Sequence, residues 1–411
     1  MHFYPLYIDP GTGSALFSIL IGAAATLFFV GRALIIKLKV VFSGGKTAIA
    51  TAHPYVIYCE GKQYWNVFKP VLDEFEKEKT AILYLTSAQD DPVFDQSWQF
   101  VKAEFIGDGN RAFARLNMLQ AEICLMTTPG LQVYQLKRAK TVKHYAHVLH
   151  APCDATTYRL FGLDYFDSVL LTGDYQAKDI RFLEKLRGLP EKQLVTVGCS
   201  YLDVYAQRIK EIEAETNHPF TVLVSPSWGA SALLACYGEK LLDPLRDAAH
   251  GDSGWRIIIR PHPQSKKSEA AMLERLQTRY RDCANIEWDY ERENIHALNK
   301  ADIMISDFSG IIFDYMFLRN KPVLYVIQDF DLRPYDADDL EHELWQFKAI
   351  KEAGIELKES DFSRITEIIK NAGDNETLTL ARNEARKTAW QHQGESGKRM
   401  FDFMTGTVNN G

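Results

Sequence analysis

Residues 302–328 read DIMISDFSGIIFDYMFLRNKPVLYVIQ. Ile303, Met304 and Ile305 suit a buried strand, and the apolar run from Val323 to Ile327 suits a second one. Between them, Ser309 to Arg319 has the length and composition of a single buried helix. Strand, helix and strand in close succession make a parallel unit, because only a crossover helix returns the chain to begin a parallel neighbour. The polar turn Ser306-Asp307-Phe308-Ser309-Gly310 is too short to be a wandering loop. Ser309 or Asp307 supplies an N-cap, and Gly310 lets a ligand approach the backbone. The first free N–H groups of the helix then form an anion site. Asp314 lies one turn further on. A carboxylate there repels phosphate, so it suits a polyol hydroxyl or the orientation of a neighbouring His or Lys.

The same rhythm extends in both directions. YVIYC, AILYLT, FVKAEFIG, EICLMTT, VKHYAHVLHA, SVLLTG and QLVTVGC read as strands of a first domain. FTVLVSPSW, WRIIIRPHP, NIEWD, DIMIS and PVLYVIQ read as strands of a second, with helices between them. The expected fold class is α/β, a GT-B-like pair of Rossmann-type parallel-sheet domains. The expected divisions are a short outer N-terminus at 1–10, a transmembrane helix at 11–31 and a basic juxtamembrane linker at 32–54. An acceptor domain at 55–215, a nucleotide-donor domain at 216–372 and a C-terminal helical segment at 373–411 complete the chain. Ligands are expected in the crevice at the carboxyl ends of the strands.

The 411 residues include 47 basic and 54 acidic side chains, a net charge of -7. That balance excludes a nucleic-acid binder working through a broad basic field. Six scattered cysteines form no CxxC or Cys/His cluster and read as reduced thiols. From Gly11 to Gly31 there is no charged residue, and those 21 residues would extend ~31 Å as a helix, about one hydrocarbon core. Arg32, Lys37 and Lys39 follow, while only Asp9 and His2 precede. The positive-inside rule therefore places the body of the chain on the cytoplasmic face of a bacterial inner membrane, held by one span.

Four places carry chemistry. Arg260 and His262 follow a buried strand in IIIRPHP, where Pro261 and Pro263 end regular structure. A guanidinium fork beside an imidazole suits a diphosphate. The second place is the turn itself, where Ser306, Asp307, Ser309, Gly310 and Asp314 are all expected to bind the donor. The third is KHYAHVLHAPCD. His144, His147 and His150 are three residues apart, and along a strand such side chains alternate between faces, so they do not converge on a metal. His150 ends the apolar segment before Pro152, at a position that faces the crevice and suits a general base. The fourth is Pro226-Ser227-Trp228, a loop that suits contact with a donor or with the interdomain hinge.

Taken in order, His150-Ala151-Pro152, Pro226-Ser227-Trp228, Arg260-Pro261-His262-Pro263 and Ser306 to Asp314 resemble the CDP-glycerol glycerophosphotransferase family, the primases and polymerases of teichoic acid. VTVGCSYLD at 195–203 and KPVLYVIQDFD at 321–331 extend the likeness. Gly310 stands where the family pattern has its second Ser. The resemblance implies a CDP-linked alditol donor and transfer of a phospho-alditol to a hydroxyl of a lipid-linked or glycan acceptor. It also implies loss of CMP and no obligatory metal or other cofactor. It gives the base role to His150, a second catalytic place and diphosphate contact to His262, donor contacts to Arg260, Ser309 and Gly310, and a further donor contact to Asp314. Two readings from other classes stay open: a GT-B glycosyltransferase or epimerase using a nucleotide sugar, and a non-catalytic nucleotide-binding membrane protein.

Overall fold

The structure, a computed structural model, describes residues 53–212, 218–251, 254–327, 330–373 and 375–409. The expected outer N-terminus, the span at 11–31 and most of the basic linker lie outside these residues. No described helix is long and apolar enough to cross a membrane.

The first half contains β1 (His53–Cys59), α1 (Trp65–Lys77), β2 (Ile82–Thr86), β3 (Val101–Phe105), α2 (Gly109–Leu116) and β4 (Ala121–Met126). It continues with β5 (Val142–Val148), β6 (Ser168–Leu171), α3 (Ala177–Arg187), β7 (Gln193–Thr196) and α4 (Ser200–Glu211). The second half contains β8 (Thr221–Val224), α5 (Leu233–His250), β9 (Arg256–Ile259), α6 (Ala270–Arg279), β10 (Ile286–Trp288) and α7 (Ile295–Lys300). After them come β11 (Ile303–Ser306), α8 (Ile311–Arg319), β12 (Val323–Tyr325), α9 (Trp345–Ala353), β13 (Ile355–Glu356) and α10 (Ile365–Asn371). Two last helices, α11 (Glu376–Ala389) and α12 (Ser396–Asn409), end the described chain.

Both sheets are wholly parallel. The first has the order β3-β2-β1-β4-β5-β6-β7 and the second β10-β9-β8-β11-β12-β13. In register, Val56 faces Leu83 on one side and Cys124 on the other, and Val224 faces Ile305. Chain order reverses between β1 and β4 and again between β8 and β11, so each sheet opens a crevice at its switch point. The expected pair of Rossmann-type domains is what forms. The strand β13 and the helix α9 fall in a stretch whose mixed polarity gave no sequence signal.

The helix read from the first stretch is buried almost all round: Ile312, Phe313, Asp314, Tyr315, Met316 and Phe317 are all inaccessible. Only its two ends, Ile311 and Leu318 with Arg319, are partly exposed, so α8 is a core helix with no broad solvent face. It ends at Asn320 with φ +50°, followed by Lys321 and Pro322, a left-handed cap and then a residue that cannot continue a helix.

Two features join the halves. Helix α4 packs against α1 and α12 on one side and against α7 and α8 on the other. The chain then returns: Met400, Phe403 and Met404 of α12 complete the core of the first sheet with Tyr55, Phe68 and Phe75. Asp203 of α4 pins this return by accepting from Trp390 Nε1 at 2.8 Å and from the Gly394 N–H at 2.8 Å. Gly198, just before α4, has φ +94°, and a Cβ there would lie 2.4 Å from the Gln391 carbonyl oxygen. Only glycine allows the returning chain to pass so close.

Candidate functional site

A cavity of about 330 Å³ opens at the carboxyl edge of the second sheet. Ser225 and Pro226 after β8, Arg260 to Pro263 after β9, Arg292 and Asn294 after β10, and Ser309 to Ile311 after β11 line it. Tyr205 of α4 closes it from the other domain. The structure thus brings together Arg260, His262, Ser309 and Gly310 from the sequence reading.

Arg260 is nearly buried and held in place. Its Nη1 donates to Asp289 Oδ2 at 2.6 Å and its Nη2 to the Glu291 carbonyl at 2.8 Å. Two of its five N–H groups are used, and the rest remain for a ligand. His262 is oriented too. The Gln264 N–H donates to its Nδ1 at 3.1 Å, which leaves the ring proton on Nε2 as a donor. Burial lowers its pKa, so the ring is neutral at pH 7. Trp228 is exposed and stacks on His262 with centroids 6.2 Å apart.

The turn divides its labour. Ser309 and Gly310 face the cavity, and among the described residues the N–H groups of Gly310 and Ile311 have no hydrogen-bond partner. Two free N–H groups at the start of α8 form an anion cradle. Ser306 and Asp307, expected to bind the donor, instead turn away from the cavity because their side chains are taken up within the fold. Ser306 Oγ donates to the Ser225 carbonyl at 2.5 Å, tying β11 to β8. Asp307 is fully buried and accepts from the Ser227 N–H at 2.9 Å, Ser227 Oγ at 3.0 Å, the Leu233 N–H at 2.9 Å and the Ser309 N–H at 3.1 Å. It therefore caps α5 rather than α8, and it uses Ser227 for the same purpose. The expected side-chain N-cap on α8 is absent; Gly310 occupies that position with ordinary helical angles.

Asp314 is buried behind the cavity wall. Tyr201 Oη donates to its Oδ1, and Asn294 Nδ2 donates to its Oδ2 at 3.2 Å. Burial pushes its carboxyl up to about 6. It orients an Asn rather than the expected His or Lys, and it links the donor helix to α4 across the domains. Asn294 Oδ1, left over by this bond, is buried without a partner.

His150 comes from the other domain, two residues past β5. Its Nδ1 lies 3.0 Å from Thr127 Oγ1 and 3.2 Å from Tyr158 Oη, and Tyr64 packs against the ring at 5.0 Å. Burial lowers its pKa to about 4, so the imidazole is neutral and able to accept a proton. The loop after His150 reaches the anion cradle: a Cβ at Gly310 would sit 3.3 Å from Cys153 Sγ. A serine there would press on that loop, which gives a steric reason for glycine at this position.

His144 and His147 take other paths. His144 Nε2 is 2.7 Å from Ser168 Oγ, and His147 is fully buried. Among the described residues no three His, Cys, Asp or Glu side chains gather in a way that could hold a metal ion. The sequence reading missed Tyr205, Arg292 and Asn294. Arg292 and Asn294 follow β10, at the carboxyl edge where this fold places ligands, and that position was their only signal.

The sequence matches the family described as CDP-Glycerol:Poly(glycerophosphate) glycerophosphotransferase over residues 164–399, more than half of the chain. No curated protein matches it. Among solved structures, one of the wall teichoic acid polymerase TagF is similar with a TM-score of 0.55 and 13% identity, covering 87% of this chain and 89% of that one. A putative UDP-N-acetylglucosamine 2-epimerase from Listeria monocytogenes is similar with a TM-score of 0.58 and 12% identity, covering 88% and 98%. A UDP-GlcNAc 2-epimerase from Neisseria meningitidis gives 0.54 and 13%, covering 87% and 100%. At such identities the structures speak for the fold alone, whereas the family match spans the donor turn, the Arg260–His262 strand end and the helices behind them. The chain is a transferase of the CDP-glycerol:poly(glycerophosphate) glycerophosphotransferase family.

Proposed function

We propose that this protein moves a phospho-alditol, glycerol phosphate or a close relative, from a CDP-linked donor to the hydroxyl of a lipid-linked or glycan acceptor in cell-envelope polymer synthesis. The observation that carries this reading is the cavity in which Arg260, His262, Arg292, Ser309 and the free N–H groups of Gly310 and Ile311 converge. These are fixed donors and cations around a space of diphosphate size, with no carboxylate lining it among the described residues.

The step balances as follows. The acceptor oxygen attacks the phosphorus that bears the alditol, and its proton passes to His150 Nε2. A new P–O bond forms, and the bond from that phosphorus to the bridging oxygen of the diphosphate breaks. CMP leaves with the electron pair. Its growing charge is met by the His262 Nε2–H, the Arg260 guanidinium and the start of α8. Asp314 acts indirectly, by holding Asn294 and the helix in place. Ser306, Asp307 and Ser227 build the turn without touching donor.

We further propose that residues 11–31 anchor the enzyme in the bacterial inner membrane with both sheets on the cytoplasmic side. The uncharged run and the basic residues after it support this placement. A panel of CDP-glycerol, CDP-ribitol and UDP- and ADP-sugars, with nucleotide release measured, tests the activity. CMP release from a CDP-alditol is expected, while UDP release from UDP-sugars alone overturns the reading. His150→Ala and His262→Ala should each cost orders of magnitude in turnover in a folded protein; a wild-type rate removes that residue from the mechanism. A reporter at the C-terminus should be cytoplasmic, and a periplasmic signal overturns the orientation.

A further inference from the structure

A line of buried groups stands behind His150 that the transfer step does not use. His147 is fully buried in β5, and its Nε2 lies 3.1 Å from Tyr158 Oη. The same hydroxyl is 3.2 Å from His150 Nδ1, and Thr127 Oγ1, also fully buried, is 3.0 Å from that nitrogen. Among the described residues no carboxylate bonds to either ring. On the far side, His150 Nε2 has no hydrogen-bond partner among the described residues, yet is not among the sealed polar atoms. His147 Nδ1, by contrast, is sealed without a partner, and its ring meets Phe166 at 5.0 Å and 63°.

A neutral imidazole carries one proton, and a base acting at Nε2 must carry it on Nδ1. Catalytic histidines are commonly held in that form by a carboxylate. Here the means is different. We propose that His147, through Tyr158, fixes the tautomer of His150 and so makes Nε2 the basic nitrogen; the inference rests on reading His150 as the base.

His147 Nε2 has one polar neighbour, the Tyr158 hydroxyl. If it accepts the Tyr158 proton, the Tyr158 oxygen is free to accept. One N–H at His150 Nδ1 then meets two acceptor oxygens, those of Thr127 and Tyr158. In the opposite arrangement a single lone pair at His150 Nδ1 faces two oxygens, only one of which can donate well to it, while the other presents its own lone pair at hydrogen-bond distance. The first arrangement leaves the His147 proton on Nδ1, the sealed nitrogen. Full burial keeps His147 from gaining a second proton, so its Nε2 can remain an acceptor for Tyr158. Tyr158 and His147 are thus positioning residues, and neither touches substrate.

The test is the tautomer itself. Full-length protein labelled with 15N- and 13C-histidine is examined by NMR at pH 7, the His150 signals being identified by their loss in His150→Gln. The Nδ1–H form is expected in the wild type, and the Nε2–H form overturns the proposal. Tyr158→Phe should shift His150 toward the Nε2–H form and lower kcat about tenfold to a hundredfold, with the donor KM within about twofold of wild type. His147→Gln keeps an acceptor near the same place and should retain the wild-type tautomer and rate, whereas His147→Leu should behave like Tyr158→Phe. Unchanged His150 signals in Tyr158→Phe refute the relay. Wild-type turnover in His150→Ala refutes the base reading instead, and the NMR result separates the two outcomes.

Discussion

Asp307 lies in the middle of the donor turn, and the geometry makes it a builder rather than a ligand. Its carboxylate accepts from two hydrogens of Ser227 and from the N–H groups of Leu233 and Ser309, all between 2.9 and 3.1 Å. Asp307→Asn replaces one oxygen with an NH2 group. If the amide takes the Oδ2 position, the Ser227 hydroxyl can turn to accept, but the Leu233 N–H faces another donor. In the opposite orientation, the N–H groups of Ser227 and Ser309 both do. At least one sealed backbone donor is left unpaired, at a cost of about 1–3 kcal/mol, and the remaining bonds lose their charge assistance. Relief of a buried charge offsets part of this, because burial already pushes the Asp307 pKa up. The net expectation is a loss of about 2–4 kcal/mol, or roughly 5–12 °C in the melting of the second domain. Ser306→Ala, which removes one neutral bond, should cost about 1 kcal/mol. Thermal and urea unfolding followed by tryptophan fluorescence measure both, with CMP release measured on the folded enzyme. A direct donor contact predicts the opposite pattern, a raised donor KM at unchanged stability. Asp307→Asn within about 0.5 kcal/mol of wild type refutes the sealed-cap account.

Three further outcomes follow from neighbouring groups. Asp314 has its folded pKa raised to about 6 from 3.8, so its contribution to stability is fully present below pH 3.8 and is lost as pH rises through 6. Relative to Asp314→Asn, the wild type should therefore gain on the order of 2 kcal/mol between pH 7 and pH 4.5, and a difference independent of pH contradicts the shift. Arg187 of the first domain binds Asp164 at 2.8 Å and Asp336 of the second domain at 2.7 Å, and Arg187→Ala should cost about 3–5 kcal/mol by leaving buried carboxylates unpaired; unchanged unfolding and unchanged proteolysis of the domain junction would tell against this. Arg260→Lys cannot span Asp289 and the Glu291 carbonyl together, so donor KM should rise about tenfold with little change in melting, and an unaltered KM removes Arg260 from donor binding.

The frame of the molecule was legible because buried parallel strands are written as short apolar runs and their order follows from crossover rules. The cavity was legible for a related reason. In this fold the carboxyl ends of strands are where polar residues are free to meet a ligand, so Arg260, His262 and Ser309 announced themselves by position. What could not be read was the direction of individual side chains within one turn. Ser306, Asp307 and Ser309 are equivalent as letters, yet one ties two strands, one caps a helix 74 residues earlier in the chain, and only the third faces the cavity. Their roles depend on Ser225, Ser227 and Leu233, which reach the turn only after the sheet has formed. The same holds for His147 and Tyr158, which look like a core histidine and a loop tyrosine until the loop folds back over β5.

Asp314 shows why the two kinds of reading must be joined. From sequence it was the residue that local chemistry explained least, a carboxylate set just behind a phosphate cradle. In the structure it binds Tyr201 of α4 and Asn294 of the cavity wall at once. Helix α4 belongs to the first domain and carries Asp203, which pins the returning C-terminal chain, and Tyr205, which closes the cavity. The start of α8 can therefore hold its place only while α4 does. Helix α4 in turn depends on the packing of α12 against the first sheet. A carboxylate that repels phosphate is tolerated there because its two oxygens are already spent on this junction. The anion cradle and the closure of the domains are then one structural unit, and disturbing either end of it should be felt at the other.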